Sequence, residues 1–137
     1  MASHHASDSA NRSLICVNGG SLYLEDGCIL RNNYSAAEGG GICCHSLTSG
    51  AGISLTIGDE VRITGNSASS SGGGIFFSGY RGGGAASSLL KLTGSMLLAG
   101  NSAYHGGGVY FYSANAGDRL EISTTSPISA NRASNNG

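Results

Sequence analysis

The chain has 137 residues, of which 24 are glycine and 1 is proline, and its formal net charge is −1. This length fits a single domain. Charged residues make up only 11% of the chain, and no basic stretch is dense enough to predict a protein that binds nucleic acid or a lipid surface. No apolar run is long enough to predict a membrane-spanning helix.

The amino-terminal stretch, residues 1–12, is polar and lacks the apolar segment of a signal peptide. We expect it to form a flexible arm ahead of one folded domain over residues 13–137.

A four-fold repeat dominates that domain. Each repeat contains an aliphatic residue, two spacers and an asparagine, and the four asparagines are Asn33, Asn66, Asn101 and Asn131. A glycine triplet and a branched aliphatic residue follow the first three, at residues 39–42, 72–75 and 106–109. A fixed period of about 30–35 residues is typical of solenoid proteins.

Short runs with alternating apolar residues predict strands inside each repeat, and no stretch has a helical period. In the third repeat these runs are 75–77, 89–92 and 96–98. Three strands per repeat can close into one turn of a β-helix, here named a coil. The sequence therefore predicts an all-β fold, a right-handed parallel β-helix (β-solenoid) of about four coils, over residues 13–38, 39–71, 72–105 and 106–137.

Equivalent residues of neighbouring coils stack about 4.8 Å apart in such a fold. The four asparagines are therefore predicted to form a ladder at a turn, with their side-chain amides bonded along the helix axis. The glycine triplets suit sharp corners, where positive φ or a close backbone approach is needed.

Alternation along the first strand of each coil assigns its two faces. It places Cys44, Phe77 and Phe111 inside the helix. Cys43, Phe76 and Tyr110 then face outward.

The asparagine and glycine motifs together resemble the polymorphic outer-membrane protein repeat of the chlamydial autotransporter adhesins, over residues 22–137. That family combines Gly-Gly-Ala-aliphatic with Phe-x-x-Asn. Here Gly41, Gly74 and Gly108 stand where alanine is usual, and an aliphatic residue stands where phenylalanine is usual. The resemblance implies a parallel β-helix with an adhesin-like role, and a location outside the cell or at the cell surface.

Four cysteines lie at Cys16, Cys28, Cys43 and Cys44. No Cys-x2-Cys pair occurs, so their spacing matches no zinc motif. They are interpreted as small buried residues on strands. A disulfide between neighbouring coils, for example from Cys16 to Cys43 or Cys44, is the main alternative, and metal or redox chemistry is a third.

Catalytic patterns are missing from the sequence. The acidic residues Asp26 and Asp59 lie seven residues before their ladder asparagines and should stack on adjacent coils, which makes them a weak candidate for a Ca²⁺ site. Solvated turn residues are the simpler interpretation. The histidines His45 and His105 occupy different positions in their repeats and should not stack. We therefore expect no enzymatic activity and no cofactor.

The outward aromatic residues form the candidate binding patch: Phe76, Tyr80, Tyr110 and Tyr112. Exposed aromatic rings can stack on sugars or bind protein. The alternative is that the loops at 45–53 and 78–88 cover them.

The functional hypothesis is a surface or structural interaction protein without catalytic residues. We expect partners to be other copies of the chain stacked end to end, or neighbouring coils of a longer array, with a protein or glycan ligand as a further partner. A carbohydrate-binding or carbohydrate-active β-helix is one alternative, and a subunit of a stacked filament is another.

Overall fold

A computed structural model describes residues 12–47, 50–79 and 86–136, and these residues form sixteen β-strands and no helix. Coil one contains β1 Ile15–Asn18, β2 Gly20–Leu24, β3 Ile29–Arg31 and β4 Tyr34–Ser35. Coil two contains β5 Ile42–His45, β6 Ile53–Ile57, β7 Arg62–Thr64 and β8 Ser67–Ser71. Coil three contains β9 Ile75–Ser78, β10 Leu89–Gly94, β11 Leu97–Ala99 and β12 Ser102–His105. Coil four contains β13 Val109–Tyr112, β14 Arg119–Thr124, β15 Ile128–Ser129 and β16 Arg132–Asn136.

Each strand pairs in parallel with its counterpart in the next coil, which confirms the prediction of a parallel β-helix. The four sheets have the orders β1-β5-β9-β13, β2-β6-β10-β14, β3-β7-β11-β15 and β4-β8-β12-β16. Register is kept along the first three sheets, so that side chains of one type form columns, and in the fourth sheet it shifts between Ala103 and His105. One such column runs through Leu22, Leu55, Leu90 and Leu120.

The core is the narrow interior of the helix, filled by these columns. Its fully buried members come mostly from coils two and three, and include Ile57, Ile63, Phe77 and Leu92. The rings of Phe77 and Phe111 stack with centroids 5.4 Å apart. Phe77 and Cys44 belong to the core cluster and Phe111 packs against it, so the predicted inward positions are occupied as expected.

The prediction of three strands per coil is wrong, because each coil has four. The additional strands β4, β8, β12 and β16 follow the ladder asparagines, where the sequence suggested only a small-residue turn. Their residues are mainly serine and alanine, which have little intrinsic preference for strands. Backbone pairing with the coils on either side holds them extended, for example Ser67 with Tyr34 and Ser102.

The glycine triplets meet two separate requirements. The first glycine of each triplet has positive φ, as at Gly39 (62°) and Gly72 (69°). The second lies against the backbone of the next coil, because a Cβ on Gly40 would overlap the carbonyl oxygen of Gly73. The third is also crowded: a Cβ on Gly41 would lie 2.7 Å from the Gly74 carbonyl oxygen.

Candidate functional site

The four ladder asparagines stand at the corner between the third and fourth sheets. The residue before each one takes a left-handed conformation, with φ values of 55° at Asn32, 63° at Gly65, 66° at Gly100 and 53° at Ala130. This turn aims the asparagine side chain into the helix. Asn33, Asn66 and Asn101 are at most 1% exposed.

The ladder bonds all run in one direction along the axis. The backbone N–H of Asn33 donates to Oδ1 of Asn66 (3.1 Å), that of Asn66 to Oδ1 of Asn101 (2.9 Å), and that of Asn101 to Oδ1 of Asn131 (3.0 Å). The Nδ2 of Asn66 also donates back to the carbonyl of Leu30 in the preceding coil (3.0 Å), and Asn101 and Asn131 bond the preceding coil in the same way. The Nδ2 groups of Asn66 and Asn101 donate forward as well, to Oδ1 of the next asparagine. The ladder therefore has an acceptor end and a donor end.

Its two ends are unsatisfied in complementary ways. At the amino-terminal end, Oδ1 of Asn33 is buried and has no hydrogen-bond partner among the described residues. At the carboxy-terminal end, Asn131 is the last of the four ladder asparagines, so none of the other three accepts from its backbone N–H. The group that one end lacks is thus the group that the other end offers.

The last coil also leaves its apolar column residues open. We define the C-terminal face as the inward side chains Leu120, Ile122 and Ile128, which are 39%, 55% and 40% exposed. Their register partners in coil three are Leu90, Leu92 and Leu98. Those partners are fully buried, so the exposure reflects the lack of a coil packed on coil four.

The first coil is better covered at its outer end. Its column residues Ile15, Val17, Leu22 and Leu24 are only half-buried but pack against the core cluster. The chain at Arg12 lies over the ladder there, because the Arg12 carbonyl accepts from Nδ2 of Asn33 at 2.8 Å. The two ends of the helix are therefore different in exposure.

The members of the candidate aromatic patch differ in how exposed they are. The expectation that Phe76 is exposed is wrong: its ring is 3% exposed, because it stacks on Tyr110 at 5.7 Å and lines a cavity with His45 and Leu47. Tyr110 is half-buried, and Tyr112 is 39% exposed. Tyr80 lies outside the described residues.

Neighbouring rings extend this stack on coils three and four. His105 lies 6.3 Å from Tyr110 and contacts Tyr104 edge-on at 4.6 Å. Tyr104 is half exposed. The rings of Tyr104, His105 and Tyr110 thus form one row across coils three and four.

The acidic turn residues Asp26 and Asp59 belong to no group of three converging His, Cys, Asp or Glu ligands in the part of the chain that the structure describes. Asp26 is exposed, and the exposed Asp59 turns toward coil three, where its Oδ1 accepts from the backbone N–H of Ser95 (3.0 Å). The described residues bring no third metal ligand to this pair.

A different group of ligand atoms does converge. Sγ of Cys16, Sγ of Cys43 and a ring nitrogen of His45 all lie within 4.8 Å of one another. Burial raises the pKa of the Cys43 thiol to about 12, and the neighbouring Cys16 and Glu38 add to the rise. All four cysteines are free thiols in this structure.

Sequence reasoning paired Cys16 with Cys43 or Cys44 only as an alternative disulfide, and it missed His45 as a third ligand because it looked for the spacing of zinc motifs along the chain. The ligands come together across coils, since Cys16 is the register partner of Cys43. The signal for the third ligand was the position of His45 on β5, two residues after Cys43 and therefore on the same outward face.

Comparison of the chain with protein-family models, with curated proteins and with solved structures finds no match. In the described residues, no helix is long and apolar enough to cross a membrane.

Proposed function

We propose that this protein is a non-enzymatic structural interaction module whose C-terminal face packs on the amino-terminal end of a second copy. The observation that carries this proposal is the exposure of Leu120, Ile122 and Ile128 at positions where inner coils bury their leucines completely. A contiguous apolar surface beside unpaired strand edges favours association with another sheet.

The partner that best fits the C-terminal face is a coil of the same kind. The edge strands β13 to β16 offer unpaired backbone groups in four directions around the helix, and only another four-sided coil can pair with all of them. A second copy also brings to this end the Oδ1 of Asn33, which accepts no hydrogen bond from the described residues. Stacking would therefore continue the ladder through the contact.

The strength of the contact can be bounded. Complete burial of an aliphatic side chain contributes about 1.5–3 kcal/mol. Leu120, Ile122 and Ile128 are already about half covered, so burying them further contributes on the order of 1 kcal/mol each. Because association itself costs at least about 4 kcal/mol, strand pairing must supply the rest, and we expect reversible association rather than a permanent dimer.

Head-to-tail contact of this kind does not close on itself, so repeated association gives a filament. The resemblance to the outer-membrane protein repeat supports an adhesin-like role at a cell surface or outside the cell. The row of rings at Tyr104, His105 and Tyr110 supports the alternative of a carbohydrate-binding β-helix, since sugars stack on exposed aromatic rings.

Sedimentation velocity over a wide concentration range tests the proposal. We expect the average mass of the wild type to rise with concentration and that of Ile122→Lys to stay monomeric. The matched control is Ser123→Lys, which adds the same charge to the same strand but on its outward side, and it should associate like the wild type. Circular dichroism checks that each variant is folded.

Mixing two variants tests the polarity of the contact. Ile122→Lys blocks the C-terminal face and Leu22→Lys blocks the amino-terminal end, so each alone should be monomeric. In a head-to-tail contact, the intact end of one variant fits the intact end of the other, and the mixture should form dimers but nothing larger. A wild type that remains monomeric at all concentrations would refute the proposal, and association of Ile122→Lys with itself would refute the assigned face.

A further inference from the structure

The outer face of β1 and β5 carries a thiol–imidazole cluster, which we define as Cys16, Cys43 and His45. Cys16 and Cys43 are register partners on adjacent parallel strands, and His45 lies two residues after Cys43 on the same face. The three potential ligand atoms lie within 4.8 Å of one another. Cys44, between them in sequence, points into the core instead.

We propose that the thiol–imidazole cluster is a binding site for a thiophilic divalent cation, Zn²⁺, which joins coil one to coil two. Two thiolates and one imidazole are a frequent ligand set for zinc. On binding, the two thiols release their protons to solvent and each sulfur donates an electron pair to the metal, so that no oxidant or reductant is needed.

The distances suit this ion after a small adjustment. Zn–S and Zn–N bonds of about 2.3 and 2.0–2.1 Å place tetrahedral ligand atoms roughly 3.5–3.8 Å apart. Rotation of side chains on Cys16 and His45 can close the remaining gap, because Cys16 is exposed and His45 only half-buried. The buried Cys43 is the fixed point of the site, at 7% exposure.

A cavity in front of the cluster leaves room for a metal ion and a fourth ligand. It has a volume of about 270 Å³, and Glu38 contributes to its wall together with all three cluster residues. The Glu38 backbone is held in place, since its carbonyl accepts from Oγ of Ser13 (3.1 Å) and Oγ of Ser35 (2.9 Å). The Glu38 carboxylate or a water molecule would complete the tetrahedron.

His45 distinguishes this site from a simple disulfide pair. A disulfide between Cys16 and Cys43 would use only the two sulfurs, whereas zinc uses all three groups. Arg12 and Glu38 both line the cavity beside the cluster. The bridge falls on coil one, whose inward residues Ile15 and Val17 are only half-buried.

Cobalt and zinc titrations test this inference on the full chain, reduced and freed of metal. Co²⁺ is expected to bind with one ion per chain, to show thiolate-to-cobalt charge transfer together with the visible bands of tetrahedral cobalt, and to be displaced by Zn²⁺. Zinc should also raise the melting temperature, and a chelator should reverse that rise.

The variants Cys16→Ser and His45→Ala each remove one ligand. Both should weaken zinc binding by at least about 100-fold, which exceeds the effect of losing an outer-shell partner. The matched control is Cys28→Ser, which removes a half-buried cysteine of the same coil outside the cluster and should leave the dissociation constant unchanged. Melting without metal should be similar for Cys16→Ser and the wild type, since Cys16 is exposed.

Three results would overturn the inference. One is a reduced wild type that shows no tetrahedral cobalt spectrum. Another is Zn²⁺ affinity that Cys16→Ser and His45→Ala leave unchanged. The third is a protein that forms a Cys16–Cys43 disulfide in air and fails to bind zinc once reduced, which would assign the cluster to a disulfide.

Discussion

Replacing Asn66 by alanine removes the central member of the ladder. The Asn66 side chain makes three hydrogen bonds: Oδ1 accepts from the Asn33 N–H at 3.1 Å, and Nδ2 donates to the Leu30 carbonyl at 3.0 Å and to Oδ1 of Asn101 at 3.2 Å. Oδ1 of Asn101 keeps a second donor, the backbone N–H of Asn66. Two backbone groups, the Asn33 N–H and the Leu30 carbonyl, lose their side-chain partner.

The magnitude follows from those two groups. Each buried backbone group left without a partner costs about 1–3 kcal/mol, so the free energy of unfolding should fall by about 2–6 kcal/mol. We expect about 3 kcal/mol, because the space vacated by the amide can admit a water molecule that restores part of the bonding. That is a large share of the 5–15 kcal/mol typical of a domain, yet the variant should still fold.

Urea unfolding followed by circular dichroism measures this change. Asn131→Ala is the informative comparison, because it removes the same kinds of bond, to Asn101 and Leu98, at a half-buried position that water can reach. It should lose only about 1 kcal/mol. Ser69→Ala, at an exposed position of β8, should lose almost nothing. Equal losses for Asn66→Ala and Asn131→Ala would refute the argument that burial makes the ladder strong.

Two further predictions concern the backbone and the thiols. Gly100→Ala should lower the free energy of unfolding by about 1 kcal/mol, because an L-residue at this left-handed φ of 66° is strained, although its Cβ meets no atom closer than 3.8 Å. Ala130→Gly, at the equivalent position, should raise the free energy of unfolding. Urea unfolding of both variants checks the two signs. In the native, metal-free protein, iodoacetamide should modify the exposed Cys16 and spare Cys44, because Cys44 is fully buried and its burial raises the pKa of the thiol to about 12. Mass spectrometry reads the labelled positions, and equal labelling of the two cysteines would contradict the packing of β5.

The fold is predictable from the sequence because the same motif repeats once in every coil of a solenoid. The spacing of Asn33, Asn66 and Asn101 fixes the length of a coil, and the glycine triplets mark its corners. Parallel pairing then places equivalent residues in columns, so that the inward position of Phe77 follows from alternation alone.

The strands after the ladder could not be predicted in this way. Residues 67–71 and 102–105 carry small polar or aromatic side chains without an apolar period. Their extended conformation depends on hydrogen bonds from the coils on either side. The order of apolar and polar residues within the segment does not predict those bonds. The burial of Phe76 was equally out of reach, because it depends on the stacked ring of Tyr110 and on the chain near Leu47.

The outward column of the first sheet connects these findings. Its members in successive coils are Cys16, Cys43, Phe76 and Tyr110. Outward side chains lie outside the apolar interior, so packing inside the helix does not bind neighbouring coils together on this face. Coils three and four are joined here by the stacked rings of Phe76 and Tyr110, 5.7 Å apart, which contributes about 0.5–1.5 kcal/mol. Coils one and two have two thiols at the same height, and two small thiols contribute little attraction to each other. A metal ion held with His45 would add a connection between coils one and two on this face.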